Sequence, residues 1–270
     1  MSERITITYP SERLLIEATA ARILLELGDR LARQPRVDLA LTGGRDANDI
    51  YASMSDSPLS ETVDWARVHL WWSDERFVPF GDVDRNAGQA RRAWYGRLIE
   101  QGLLPKSNVH EMPVDRRAPE QVAGASDEDN EEALRAGASE YERELAYDLG
   151  DEPHFDLAVF GVGPDGHFAS LFPDHGEAEI TDETVNVVGV NHSPKPPSMR
   201  LSLTVPCIRR SRKVWFFAST AEKAQGVKSA LSGRNDPHVP SSYGEGRQET
   251  LWLLDHDAAA ELNSPSHEIA

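Results

Sequence analysis

Apolar positions along the chain recur with two different periods, and the alternation between them predicts the architecture. Leu14, Ala18, Ala21 and Leu25, with Leu15, Leu24 and Leu31 one row over, fall at helical spacing, so 11–34 reads as an amphipathic helix with Ser11 as its N-cap. Short, largely apolar runs follow at Val37–Leu41, Val68–Trp72, Phe155–Phe160, Thr184–Val190, Leu201–Val205, Val214–Ala218 and Leu251–Leu254; they read as strands. Helical stretches lie between several of them: 86–101, opening at Asn86 and stopped by Gly102, then 131–149, and 221–232, stopped by Gly233. Strand alternating with helix implies an α/β fold, a mostly parallel open sheet with helices on both faces in the Rossmann-like manner. In such folds ligands sit beyond the C-terminal ends of strands, so the loops after strands are where chemistry is sought.

No internal repeat and no composition shift divides the chain, and one domain over 1–270 is expected. The biased segment 123–137 is acidic, free of aromatics and rich in small residues; it is expected to begin as a solvated loop feeding the helix that ends near Leu149.

Charge narrows the function classes. With 28 Lys plus Arg against 45 Asp plus Glu, the net charge of -17 opposes binding to nucleic acid and to anionic membrane surfaces. The same field repels phosphorylated metabolites, so an anionic ligand needs a local cluster of cations and backbone N–H groups. The single cysteine, Cys207, excludes an internal disulfide framework and argues against a Cys-ligated metal. No apolar stretch approaches a membrane span, and the N-terminus lacks the apolar core of a signal peptide; a cytoplasmic enzyme is expected.

Five segments could carry chemistry. Leu39–Asn48 runs a strand into Gly43 and Gly44 and then an expected helix, an arrangement equally suited to a plain turn or to a phosphate held by backbone N–H groups. Arg45 beside the turn favours the phosphate, because a guanidinium makes paired hydrogen bonds to it. Asp74, Glu75 and Arg76 follow an apolar strand, where they form either a surface ion pair or part of a site. Phe155–Pro173 is the strongest signal: a strand empties into Gly161, Gly163 and Gly166, with Asp165 and His167 among them, close enough for the carboxylate to orient an imidazole base. The same glycines formally match a dinucleotide fingerprint, yet Pro173 leaves no room for the helix that must open at the third glycine. Lys195 and Arg200 stand on a proline-stiffened loop at the entrance to a strand, cations held at reduced ordering cost. Lys223, in the first turn of a helix after a strand, reads by itself as a solvated lysine. Nucleophilic-serine, Walker A and HExxH signatures are absent from the sequence.

In order along the chain, Leu41-Thr-Gly-Gly, Trp72-Ser-Asp-Glu-Arg-Phe-Val-Pro, Asp84-Arg-Asn86, Gly161-Val-Gly-Pro-Asp-Gly-His-Phe-Ala-Ser-Leu-Phe-Pro and Pro194-Lys-Pro-Pro-Ser-Met-Arg-Leu-Ser-Leu-Thr closely resemble the 6-phosphogluconolactonase family. The resemblance implies hydrolysis of 6-phospho-D-glucono-1,5-lactone to 6-phosphogluconate in the oxidative pentose phosphate pathway, with no metal or nucleotide cofactor. It further implies that His167 is the base activating water, Asp165 its partner and Arg76 a substrate-binding or charge-stabilising group. Gly43 and Gly44 match the phosphate loop, and Asn86, Gly163, Lys195, Arg200 and Lys223 join the substrate-binding set. The family loop usually continues Gly-Gly-Ser-Thr-Pro, whereas this chain has Gly-Gly-Arg-Asp-Ala, so Arg45 is expected to replace hydroxyl contacts to phosphate. The partners expected are a small sugar phosphate, neither nucleic acid nor membrane, and a monomer or weak homo-oligomer. Two competing readings are an amino-sugar phosphate isomerase or deaminase and a non-catalytic sugar-phosphate sensor, the latter lacking any DNA-binding helix pair or basic patch.

Overall fold

The computed structural model describes residues 2–262. Ten strands alternate with helices. Arg4–Tyr9 (β1) leads to Glu12–Leu31 (α1), where Ser11 accepts a hydrogen bond from the Leu14 N–H as the predicted N-cap. Val37–Leu41 (β2) passes through the glycine pair into Arg45–Asp56 (α2), which packs against α1. Next come Val68–Trp72 (β3), Asp74–Arg76 (β4), Asn86–Ala90 (α3), a π-helical turn Arg91–Tyr95, Gly96–Glu100 (α4) and Val109–His110 (β5). Pro119–Ala123 (α5) and Asp127–Leu149 (α6) precede Leu157–Gly161 (β6), Val187–Val190 (β7) and Arg200–Leu203 (β8). Val205–Arg210 (α7), Lys213–Ala218 (β9), Ala224–Ser232 (α8) and Glu249–Asp255 (β10) complete the order.

The main sheet is seven-stranded, in the order β1-β10-β9-β6-β2-β3-β5, and every pairing in it is parallel. From β2 the chain steps outward through β3 to β5, then returns to lay β6 on the other side of β2 and continues outward through β9 to β10, which pairs with the initial strand β1 at the sheet edge. The order therefore reverses between β2 and β6, and loops leaving those two strands diverge and open a crevice. Every residue of β2 is buried, as is β6 from Leu157 to Phe160, so both sheet faces are covered there. Trp71, Trp72, Trp94 and Trp252 are fully buried. Among the described residues no helix is long and apolar enough to cross a membrane.

Several elements depart from the sequence reading, each for a physical reason. β1 carries alternating Ile5 and Ile7 but is a half-exposed edge strand, too polar to read as one from its run of residues. β4, β8 and β7 form a separate antiparallel sheet, which the α/β alternation does not announce. The run ending at Val205 stops as a strand at Leu203, because Thr204 turns the chain and caps α7, accepting the Cys207 N–H. In the acidic segment, helix begins at Asp127 rather than 131. Ser126 accepts the Asp129 N–H while the Asp129 carboxylate accepts the Ser126 N–H, and the clustered acids of this first turn lie at the positive end of the helix dipole.

Helix α6 lies against the small sheet through two glycines. A Cβ on Gly137 would stand 2.8 Å from the Phe77 ring, and one on Gly189 of β7 would stand 2.5 Å from the Leu134 Cβ. Leu134 Cβ belongs to the root of its side chain, so rotamer change does not relieve the second clash. Gly189→Ala is therefore expected to destabilise the fold by about 1–3 kcal/mol, as overpacking does, read as a lower denaturant midpoint with an unchanged m-value.

Candidate active site

Loops from both sides of the β2/β6 reversal, with the small sheet and the turn after β9, enclose a cavity of roughly 340 Å³. Thr42, Gly43 and Gly44 reach it from β2, and Asp74 and Arg76 from β4, with Asn86 at the start of α3. Val162, Gly163, Pro164, His167, Ala169 and Phe172 reach it from the loop after β6; Lys195, Pro196 and Arg200 come from the proline loop, Glu222 and Lys223 from the turn after β9.

The loop after β6 folds back on itself: the Gly163 N–H donates to the His167 carbonyl at 2.9 Å, and the Gly166 N–H donates to the Gly163 carbonyl at 3.0 Å. This brings the imidazole over Gly163, where a Cβ would lie 2.0 Å from His167 Nδ1. Gly166 has a φ of +80°, favourable to glycine, and is backed by Val239. On the far side, Gly226 of α8 comes so close that a Cβ there would be 2.6 Å from the Gly163 carbonyl oxygen. Glycine is thus needed here for close approach of backbone to ring and of helix to turn.

His167 Nδ1 is hydrogen-bonded to Asp165 Oδ1. An ionised carboxylate only accepts, so Nδ1 carries the proton and Nε2 is the basic nitrogen of the neutral ring. Burial alone pushes the Asp165 carboxyl up, but the His167 hydrogen bond and charge, the Lys195 charge and the His167 backbone N–H outweigh it and bring it down to about 2. Phe172 closes one side of the imidazole, with 4.8 Å between ring centres.

Arg76, Lys195 and Arg200 line the same cavity, none of them ion-paired among the described residues. Arg76 and Arg200 are cross-strand neighbours in the small sheet. Arg76 donates through Nη1 to the Asp84 carbonyl, while its buried Nε finds no partner. Buried Arg200 donates to the Pro197 carbonyl at 2.8 Å and the Lys195 carbonyl at 2.9 Å, thereby shaping the loop that carries Lys195. Burial, followed by the Arg76 charge, pulls Arg200 down to about 10, still cationic at neutral pH.

At the other end, Gly44 has a φ of +104° and precedes the first turn of α2. The Asn86 amide lies over Gly43, where a Cβ would meet Asn86 Oδ1 at 1.8 Å; its Nδ2 donates to the Asp74 carbonyl at 3.0 Å and its Oδ1 is buried without a partner. Lys223 is not a solvated lysine: its side chain is mostly buried, and Nζ bonds Asp46 Oδ2 at 3.1 Å. Arg45 does not join the cavity lining. Its guanidinium is held by Glu12 at 2.9 Å and by Asp46 at 3.0 Å, so the expectation that it replaces hydroxyl contacts to phosphate gives way to an ion-pair role.

The charged trio after β3 divides by role. Glu75 is fully buried and accepts the N–H groups of Arg76 and Asn86 at 2.7 Å and of Ala87 at 2.9 Å, fastening α3 rather than facing a ligand. Asp74 does face the cavity and accepts the Ser170 hydroxyl at 2.8 Å. Thr42, Phe172 and Glu222 are lining residues that the sequence reading did not single out, although each adjoins a segment that it did. Among the described residues no group of three His, Cys, Asp or Glu side chains is arranged to hold a metal.

Residues 3–252 match the family model described as glucosamine-6-phosphate isomerases/6-phosphogluconolactonase. The chain is 41% identical to the 6-phosphogluconolactonase of Mycobacterium tuberculosis over 98% of this chain and 100% of that protein. It is 40% identical to that of Streptomyces coelicolor over 95% of this chain and 94% of that protein. In fold it is similar to the 6-phosphogluconolactonase of Trypanosoma brucei, with a TM-score of 0.79 at 24% identity over 97% of this chain and 100% of that one. Matched by the family model over nearly its whole length, and sharing the lactonases' fold, the chain belongs to the glucosamine-6-phosphate isomerase/6-phosphogluconolactonase family.

Proposed function

We propose that this protein is a 6-phosphogluconolactonase, a single-domain enzyme that hydrolyses 6-phospho-D-glucono-1,5-lactone to 6-phosphogluconate with water activated by His167. The observation that carries the reading is one cavity lined by an Asp-oriented imidazole and by three cations without ion-pair partners among the described residues, in a chain whose net charge is -17. Unpaired cations gathered in so acidic a protein are explained by an anionic ligand that supplies the missing charge. The names of the relatives point to the same substrate.

In this mechanism Nε2 of His167 takes a proton from water as its oxygen attacks the lactone carbonyl carbon. The negative charge that develops on the carbonyl oxygen is stabilised by Arg76 and the neighbouring cations. The tetrahedral intermediate collapses with cleavage of the bond from that carbon to the ring oxygen, which takes the proton back from the imidazolium. Asp165 holds the ring in the required tautomer and stabilises its charged form. Gly163 lets the substrate approach the turn. The phosphate is received at the other end by the N–H groups of Gly43 and Gly44 at the start of α2, by Lys223 and by the amide of Asn86, while Lys195 and Arg200 hold the sugar acid's oxygens.

His167→Ala is expected to lower kcat by about 100-fold or more, the usual worth of a general base, measured as proton release from freshly generated lactone after subtraction of spontaneous hydrolysis. Folded wild type that fails to accelerate release, or that liberates ammonia from glucosamine 6-phosphate, would turn the assignment toward the amino-sugar branch of the family.

The depressed Asp165 carboxyl also makes a prediction about stability. Its folded-state value of about 2 lies below the ordinary 3.8, so its contribution is fully present above 3.8 and is lost as pH falls from there toward 2. The stability gap between wild type and Asp165→Asn in urea titrations is therefore expected to narrow as pH falls from 3.8 toward 2; a gap that does not narrow over that window would contradict it.

A further inference from the structure

Asp46 occupies the first turn of α2 yet is only 3% exposed, and its carboxylate is saturated by donors from two separate loops. Oδ1 accepts from Arg45 at 3.0 Å; Oδ2 accepts from the Ser219 hydroxyl at 2.9 Å, the Ser219 N–H at 3.2 Å and Lys223 Nζ at 3.1 Å. Arg45 is in turn held by Glu12 at 2.9 Å and donates to the Ser219 hydroxyl at 3.0 Å. Ser219 and Lys223 follow β9, whereas Asp46 follows β2, and the sheet places β6 between those strands. The Asp46 carboxylate therefore bridges across the end of β6, from the glycine pair on one side to the lysine on the other.

We propose that Asp46, tethered by Arg45, is a positioning residue that fixes the Lys223 ammonium at the phosphate end of the cavity. The inference rests on reading that cavity as a sugar-phosphate site. An ammonium has three N–H donors on a flexible stem. Asp46 uses one of them and holds the stem, leaving the others free toward the cavity that Lys223 lines. A lysine ordered before the ligand arrives forfeits less rotamer entropy on binding. Arg45 and Asp46 are also two of the three residues by which the loop departs from Gly-Gly-Ser-Thr-Pro, so hydroxyl side chains are exchanged here for an ion-paired brace.

The sign of the effect separates this role from simple charge. An anion that merely sits near the phosphate weakens binding, and its removal tightens it; an anion that positions a cation does the reverse. The experiment measures the dissociation constant of 6-phosphogluconate by titration calorimetry, and KM and kcat for the lactone, in wild type, Asp46→Ala, Lys223→Ala and the double variant. Asp46→Ala is expected to raise the dissociation constant and KM about 3- to 10-fold with kcat within about twofold, and to add nothing in the Lys223→Ala background. Tighter binding in Asp46→Ala, an equal loss in both backgrounds, or full affinity in Lys223→Ala overturns the proposal. Should Asp46→Ala fail to fold, Arg45→Gln keeps the carboxylate and removes the tether: a rise of about twofold that vanishes without Lys223 supports the proposal, and an unchanged affinity overturns it. Coupled binding without lactone turnover would sink the lactonase reading alone; turnover without coupling would sink this one alone; the absence of both binding and turnover in wild type sinks both.

Discussion

The position of β6 between β2 and β9 is the constraint on which the remainder of the molecule depends. Because the chain order reverses beside it, the loops leaving β2 and β6 part from one another, and the gap between them is lined both by the glycine pair at the start of α2 and by the His167 imidazole. The glycine turn after β6 then satisfies two contacts at once. Its Gly163 lies under the His167 ring, and its carbonyls lie against Gly226 of α8. Neither neighbour leaves room for a side chain, so the imidazole is held by backbone shape as well as by its hydrogen bond to Asp165.

Charge is organised around the same gap. Elsewhere in this acidic chain Arg4, Arg36, Arg117 and Arg210 are committed to carboxylates. Arg76, Lys195 and Arg200 instead stand without ion-pair partners among the described residues, two of them made cross-strand neighbours by the small antiparallel sheet. Two guanidiniums as cross-strand neighbours repel, and after burial that repulsion is the next cause of the lowered affinity of Arg200 for its proton.

Second-layer contacts are supplied by residues that resemble site residues in sequence. Glu75 has the type and position of a catalytic carboxylate, but it is used to fasten α3 through backbone N–H groups. Arg45 has the type and position of a phosphate ligand, but it is drawn away by Glu12 and Asp46. A position at the end of a strand thus places a residue near the gap without deciding which way its side chain turns.

Much of the architecture was legible in the linear pattern because the strands of a parallel sheet are buried on both faces and read as unbroken apolar runs, as at Val37–Leu41 and Val214–Ala218. The same holds for the turn from Gly161 to His167, where so many glycines beside an acid and an imidazole have few structural explanations. What stayed illegible depends on neighbours distant in sequence. The edge strand β1 exists because β10 offers it a partner, and the small sheet exists because β4, β7 and β8 meet. The division of labour among Asp74, Glu75 and Arg76, and between Arg45 and Lys223, is set by whether an opposite charge or a backbone donor from another loop reaches the side chain first. The sequence by itself determined the fold class, the glycine turn and the supply of cations; only the tertiary structure decided which cations remain unpaired, because ion pairing is a property of distances that local sequence does not encode.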